Sequence, residues 1–348
     1  MINRALFCGA GISAGSPVGL PLAQDLHNNL CKCFFDAARV VAPEYASIAG
    51  FNQIKNMPLN VIARLAVTAG RSTAEELLNL FRVMIPNEAH MLAAVHAMLG
   101  SLLLTPNFDD GIERAYGLLE GSVHLPSWAA HEYHNALKNW RAMLQPMTQL
   151  SIVASSFSSA DYSHRPLLVK LRGCRQQGWH RSLVPLHPSV RFERHRLTEP
   201  QMIAMRAAAE SEHLAIAGFS GADVDCREAL FSLLHPGHFS WTAKALKSEL
   251  VDRVQRLDPA QPMLRPAVEG VRASLPHADE LPHWPDTSVA NNCFESAFEQ
   301  WAAKLPLNDS AVVYSQLLAA SGLFEEAESI RSVLRSPRRV LASVKSSE

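Results

Sequence analysis

The chain has 348 residues, 48% hydrophobic and 19% charged, and its 32 Lys and Arg against 33 Asp and Glu leave a formal charge of −1. That profile excludes wholesale disorder, suits one large domain plus a smaller one, and disfavours nucleic acid as the main ligand. No run of 18 apolar residues exists, so no membrane span is expected, and six cysteines without a C-x-x-C pair argue against a disulfide scaffold or a four-cysteine zinc site.

Ile2 to Cys8 is a short apolar run entering Gly9-Ala10-Gly11-Ile12-Ser13-Ala14-Gly15, the pattern of a buried parallel strand feeding a glycine loop. The apolar stretch between Arg4 and Cys8 is three residues, too short for a secretion signal, so reduced thiols and a cytoplasmic location are expected. Pro17, Gly19 and Pro21 delay the next helix to Pro21-Leu22, after which Leu22, Leu26, Leu30 and Phe34 share a face. Ser72-Thr73-Ala74-Glu75 reads as a capping box for a helix through Leu77, Leu78, Phe81 and Ile85. Asn87 to Leu99 predicts an amphipathic helix closed by Gly100.

Ser101 to Thr105 predicts a second strand, followed by the polar loop Pro106 to Asp110 and a helix over Ile112–Leu119. His131 to Leu144 reads as helical. Leu150–Ala154, Leu167–Leu171 and Leu214–Ala217 read as further buried strands, with a helix over about Asp225–Leu234 and a last candidate strand at Phe239–Thr242. Strands alternating with helices predict an open parallel α/β sheet, with ligands at the carboxyl ends of its strands. The expected α/β domain spans 1–245. Residues 246–348 are expected to form a proline-punctuated linker and a small all-helical C-terminal region, with helices at Ser310–Ala320 and Phe324–Leu334.

Gly9-Ala10-Gly11-Ile12-Ser13-Ala14 fits G-x-G-x-x-(G/A), whose glycines let backbone N–H groups approach a pyrophosphate. Alone it reads equally as a tight strand-to-helix turn. Four segments in order sharpen it: Gly9-Ala10-Gly11-Ile12-Ser13 with Gly19-Leu20-Pro21; His90 and Leu92 ahead of Thr105-Pro106-Asn107-Phe108-Asp109-Asp110; Leu168-Val169-Lys170-Leu171-Arg172-Gly173; and Ala217-Gly218-Phe219-Ser220 with Asp223 and Asp225. Together they resemble the sirtuin-like NAD-binding family over about residues 1–245.

That resemblance implies a Rossmann-like sheet with NAD as substrate or ligand. Gly9, Ala10, Gly11 and Ser13 would hold its phosphates and ribose. In the T-x-N-x-D block of Thr105, Asn107 and Asp109, Asn107 would face the nicotinamide ribose and position a water, and Asp109 would bind the carboxamide. Gly218 and Ser220 would line the adenosine side. Taken singly, the block reads first as a helix N-cap with a polar loop.

Two departures matter. The zinc module of protein-deacylating members is absent, so no zinc is expected, and the chain looks like the divergent branch of bacterial antiphage effectors that hydrolyse NAD. Arg172 stands where the family carries a catalytic histidine, and a guanidinium cannot act as a base. The implied function is NAD hydrolysis to nicotinamide and ADP-ribose, with Asn107, Asp109 and position 172 at the reacting centre. The alternative is a catalytically silent NAD- or ADP-ribose-binding sensor or assembly subunit, and a deacylase or ADP-ribosyltransferase ranks below both. The C-terminal helices would mediate a homo-oligomer or a partner contact. His164 and His180 carry no motif, and His131-Glu132-Tyr133-His134 reads as an exposed polar face rather than a metal site.

Overall fold

Strand β1, Arg4–Cys8, is apolar on both sides because both faces of the sheet are covered. The computed structural model describes residues 4–57, 59, 61–62, 65, 76–144, 150–153, 166–172, 197, 199–219, 226–227, 229–230, 233, 267–285 and 294–336. The capping box at 72–75, the candidate strand at 239–242, and Ser220, Asp223, Asp225, His164 and His180 lie outside the described residues.

Four more strands follow: β2, Leu102–Thr105; β3, Ser151–Val153; β4, Leu167–Lys170; and β5, His213–Ala217. They form one five-stranded parallel sheet in the order β3-β4-β2-β1-β5. The fold is thus the open Rossmann-like α/β sheet, followed by C-terminal helices. The chain leaves β1 toward β2 on one side, and β5 closes on the other. Loops after β1, β2 and β5 therefore meet at one carboxyl edge, the place where open α/β sheets bind ligands.

Alternation along the strands sorts the core into two layers. Leu6, Cys8, Leu103, Leu168, Ala215 and Ala217 face α3 (Glu88–Met98), α4 (Gly111–Glu120), α5 (Ser127–Met143) and α7 (Ala267–Ala273). Ala5, Phe7, Leu102, Leu104, Leu167, Val169, Leu214 and Ile216 face α6 (Glu199–Ala209) and the helical residues Cys226, Ala229 and Leu230.

Helix α3 differs from expectation. Every residue from Ala89 to Ala97 is buried, so it is an internal helix without a polar face. Gly100 does close it, at φ +84°. Residues 76–79 are helical, but the chain turns at Leu80, so Phe81 and Ile85 are buried in the segment beyond the helix.

The compact units interleave along the sequence. The first gathers the described residues of Met1–Leu22, Phe81–Val184 and Arg194–Phe294; the second gathers those of Ala23–Leu80 and Glu295–Glu348. The second is helical: α1 (Ala23–Val41), α2 (Ile48–Ile54), nearly all of α8 (Phe294–Ala303), α9 (Leu307–Ala320) and α10 (Phe324–Arg335). Leu26, Leu30 and Phe34 form the buried face of α1; Leu22 lies ahead of the helix and is 43% exposed. Phe35 stacks on Phe51 at 4.5 Å and tilts against Tyr314. No described helix is long and apolar enough to cross a membrane.

Candidate functional site

The glycine loop is shaped first by its neighbour. Gly9 N donates to Ala217 O and Gly11 N to Gly218 O, both at 2.8 Å. A Cβ on Gly9 would lie 2.5 Å from Gly218 O, and one on Gly218 (φ +63°) would lie 2.5 Å from Ile12 N. The β1 and β5 loops thus touch backbone to backbone, and this contact alone requires glycine at 9, 11 and 218. After Gly9 the chain coils into a 3-10 turn, Ala10–Ser13, which directs Ser13 inward.

Ser13 Oγ donates to Asp109 Oδ2 at 2.8 Å and lies 3.0 Å from His90 Nε2. A hydroxyl has one proton, so toward His90 it accepts, and Nε2 carries the hydrogen. The other ring nitrogen agrees: Nδ1 accepts from Asn87 N at 3.4 Å, while His90 N donates to Asn87 Oδ1 at 3.1 Å. This reciprocal cap starts α3. Asn87 Nδ2 also donates to Ile12 O at 2.8 Å, pinning the 3-10 turn. Burial pushes the His90 imidazole down to about 4, Asp109 opposing and Lys170 assisting. In this arrangement His90 donates to Ser13 and Ser13 to Asp109, the reverse of the direction in which a histidine activates a serine nucleophile.

The loop after β2 supplies the opposite wall. Thr105 Oγ1 donates to Cys8 O at 2.8 Å and accepts from Asn107 N at 3.0 Å. Asn107 Nδ2 donates to Gly9 O at 3.1 Å and reaches Ser13 Oγ at 3.4 Å. Only a donor suits a carbonyl, which fixes the amide's orientation. Its Oδ1 accepts no hydrogen bond from the described residues and is the spare acceptor of the site. Asp109 Oδ1 accepts from Gly111 N at 2.9 Å, so both its oxygens are engaged. Asp109 thus braces the start of α4, while Asp110 at the N-cap position makes no side-chain cap bond.

Ser13, Thr105, Asn107 and Asp109 are buried, whereas Ala10, Gly11, Pro106, Phe108 and Gly218 are half-buried and Ala14, Gly15 and Ser16 are exposed. A ligand arriving at this edge meets the second set first. Arg172 is half-buried two residues beyond Lys170, on β4's carboxyl end. Because Lys170 pairs with Thr105, Arg172 and Asn107 lie equally far past their strands. The structure brings together Gly9, Ala10, Gly11, Ser13, Thr105, Asn107, Asp109 and Gly218 at this edge.

Asn87, His90, Lys170 and Glu113 also belong to the cluster; His90 and Lys170 stand in the family-like segments of the sequence but carried no assigned role there, and Asn87 carried no signal. Lys170 inside an apolar strand was the available signal. His131 and His134 are exposed on α5, and among the described residues no three His, Cys, Asp or Glu side chains are grouped to hold a metal ion. Comparisons with protein-family models, curated proteins and solved structures return no match.

Proposed function

We propose that this chain is a sirtuin-like protein that binds NAD at the carboxyl edge of its sheet and hydrolyses it to nicotinamide and ADP-ribose. The observation that carries the reading is the Asn107 amide, clamped through Nδ2 with Oδ1 left to orient a water. Cleavage of a glycosidic bond to a cationic leaving group has an oxocarbenium-like transition state, and nicotinamide departs without protonation. The site's tasks are then to hold the ribose and to aim a water at it. In this reading the rim of half-buried Ala10 and Gly11 and exposed Ala14–Ser16 would face the diphosphate, with Ser13 and Asp109 bracing Asn107 beneath it.

No base is required at the moment of bond cleavage, neither His90 nor Arg172 supplies one, and the proton of the attacking water leaves to solvent after the bond to the ribose forms. The nicotinamide-release rate is therefore expected to stay flat from about pH 6.5 to 8.5, since neither group titrates there. A limb with a midpoint near 7 would assign the reaction to a different group. The decisive comparison is nicotinamide release from NAD by the wild type and Asn107→Ala. Release should fall by about 100-fold or more, the scale on which a lost positioning group is felt. Unchanged release sinks the site, and failure to bind NAD sinks the reading.

A second reading rests on Arg172. A guanidinium at this edge suits bidentate contact with a phosphate and not proton transfer. It favours a sensor or assembly subunit that binds NAD or ADP-ribose without turnover. Binding without release in the same assay selects it. For the hydrolysing reading the biological setting proposed is bacterial antiphage defence, with the C-terminal helices meeting a partner or a second copy.

A further inference from the structure

Residue 170 breaks an apolar strand. Leu167, Leu168 and Val169 are buried, and Lys170 is buried with them at 1% exposure. An ammonium in that position is strongly disfavoured unless it is partnered and hydrogen-bonded. Its Nζ lies 3.0 Å from Glu113 Oε1 and donates to the main-chain carbonyl of Asp109. Glu113, in the first turn of α4, is buried as well; burial pushes its carboxyl up and Lys170 opposes that shift.

Cohesion alone does not account for this pair. Apolar residues of similar volume would hold strand and helix together as well or better. What the pair adds is a fixed point. The β2–α4 turn is tied to the β1 loop through the side chains of Asn107 and Asp109. Its main chain at Asp109 is held from β4 by Lys170.

We propose that Lys170 is a positioning residue of this site: its ammonium, anchored on Glu113, clamps the main chain at Asp109 and so keeps the Asn107 and Asp109 side chains on Gly9 and Ser13. The kinetic arm of the test rests on the NAD-hydrolysis reading; the exchange arm does not.

The exchange arm follows amide hydrogen exchange by NMR in the ligand-free full chain. Gly111 N, bonded to Asp109 Oδ1, reports the turn, and Leu103 N in β2 reports the sheet. In Lys170→Met, protection at Gly111 should fall by about tenfold or more while Leu103 stays within about threefold, and Lys170→Arg should recover part of the loss. Protection at Gly111 that is unchanged, or that falls only in step with Leu103, overturns the proposal. If Lys170→Met does not fold, Lys170→Gln takes its place under the same criteria, since its amide is uncharged, cannot ion-pair with Glu113 and reaches less far than the lysine. In the kinetic arm, Lys170→Met should lower kcat for nicotinamide release by about tenfold or more with KM within about threefold. An unchanged kcat in an active enzyme also overturns the proposal. A wild type that neither binds nor cleaves NAD defeats the functional reading alone, and the exchange result then decides for Lys170.

Discussion

Ser13 offers one proton, and three buried side chains surround its oxygen. Asp109 accepts the hydrogen bond from this hydroxyl, and His90 and Asn107 donate to its oxygen, so the hydroxyl joins the β1 loop, α3 and the β2 loop. The neutrality of His90 has a thermodynamic consequence. Burial lowers both His90 and His96 to about 4. Between about pH 6.5 and 4 the unfolded chain takes up protons at these positions and the folded chain does not, so stability falls as pH falls through that window. Above it both states are neutral and neither histidine contributes to the pH slope. Each shift corresponds to on the order of 3 kcal/mol across the whole window. Urea midpoints at pH 7 and pH 5 measure this; equal midpoints would contradict it. The legible part of the site was the part that follows a motif: Ser13, Asn107 and Asp109. Asn87 gave no signal, and His90, though it stands in a family-like segment, gave no hint of its role, because the two cap a helix and support Ser13 through it, and no spacing rule joins residues 13 and 90.

Among the elements, buried parallel strands read well from sequence because both faces are covered and the chain becomes a short apolar run between glycines and prolines. The strand cores of β1, β2, β4 and β5 follow that pattern. Helix α3 misled for the same reason, since burial on all sides erases the polar stripe that a periodicity argument needs. Helices α2, α6, α7 and α8 were not named at all; α2 and α7 are seven residues each, too short for a sustained repeat. At the loop level, Gly218→Ala should destabilise by about 1–3 kcal/mol or more, since it combines φ +63° with a 2.5 Å clash against backbone. Gly15→Ala should stay within about 0.5 kcal/mol, because its nearest neighbour is Asn87 Nδ2 at 3.6 Å. Thermal denaturation of the two variants separates a glycine demanded by loop contact from one that is merely present.

At the scale of the whole molecule, two units grow from interleaved stretches of one chain. In the helical unit, Tyr314 is fully buried and its hydroxyl finds no hydrogen-bond partner among the described residues. Tyr314→Phe should therefore be neutral or stabilising in urea denaturation, because it removes an unsatisfied polar atom and keeps the ring that meets Phe35. In the other unit, the order β3-β4-β2-β1-β5 places an early-synthesised strand in the interior of the sheet. Until His213–Ala217 arrives, β1 has one unsatisfied ladder and an apolar flank. The nascent chain thus carries a sticky edge through most of its synthesis, a state that invites chaperone capture or intermolecular pairing. Such long-range closure also slows folding. Pulse-labelled exchange during refolding should find the β1 amides that bond to β5 protected no earlier than β5 itself, and earlier protection would show that another segment shields that edge in the meantime.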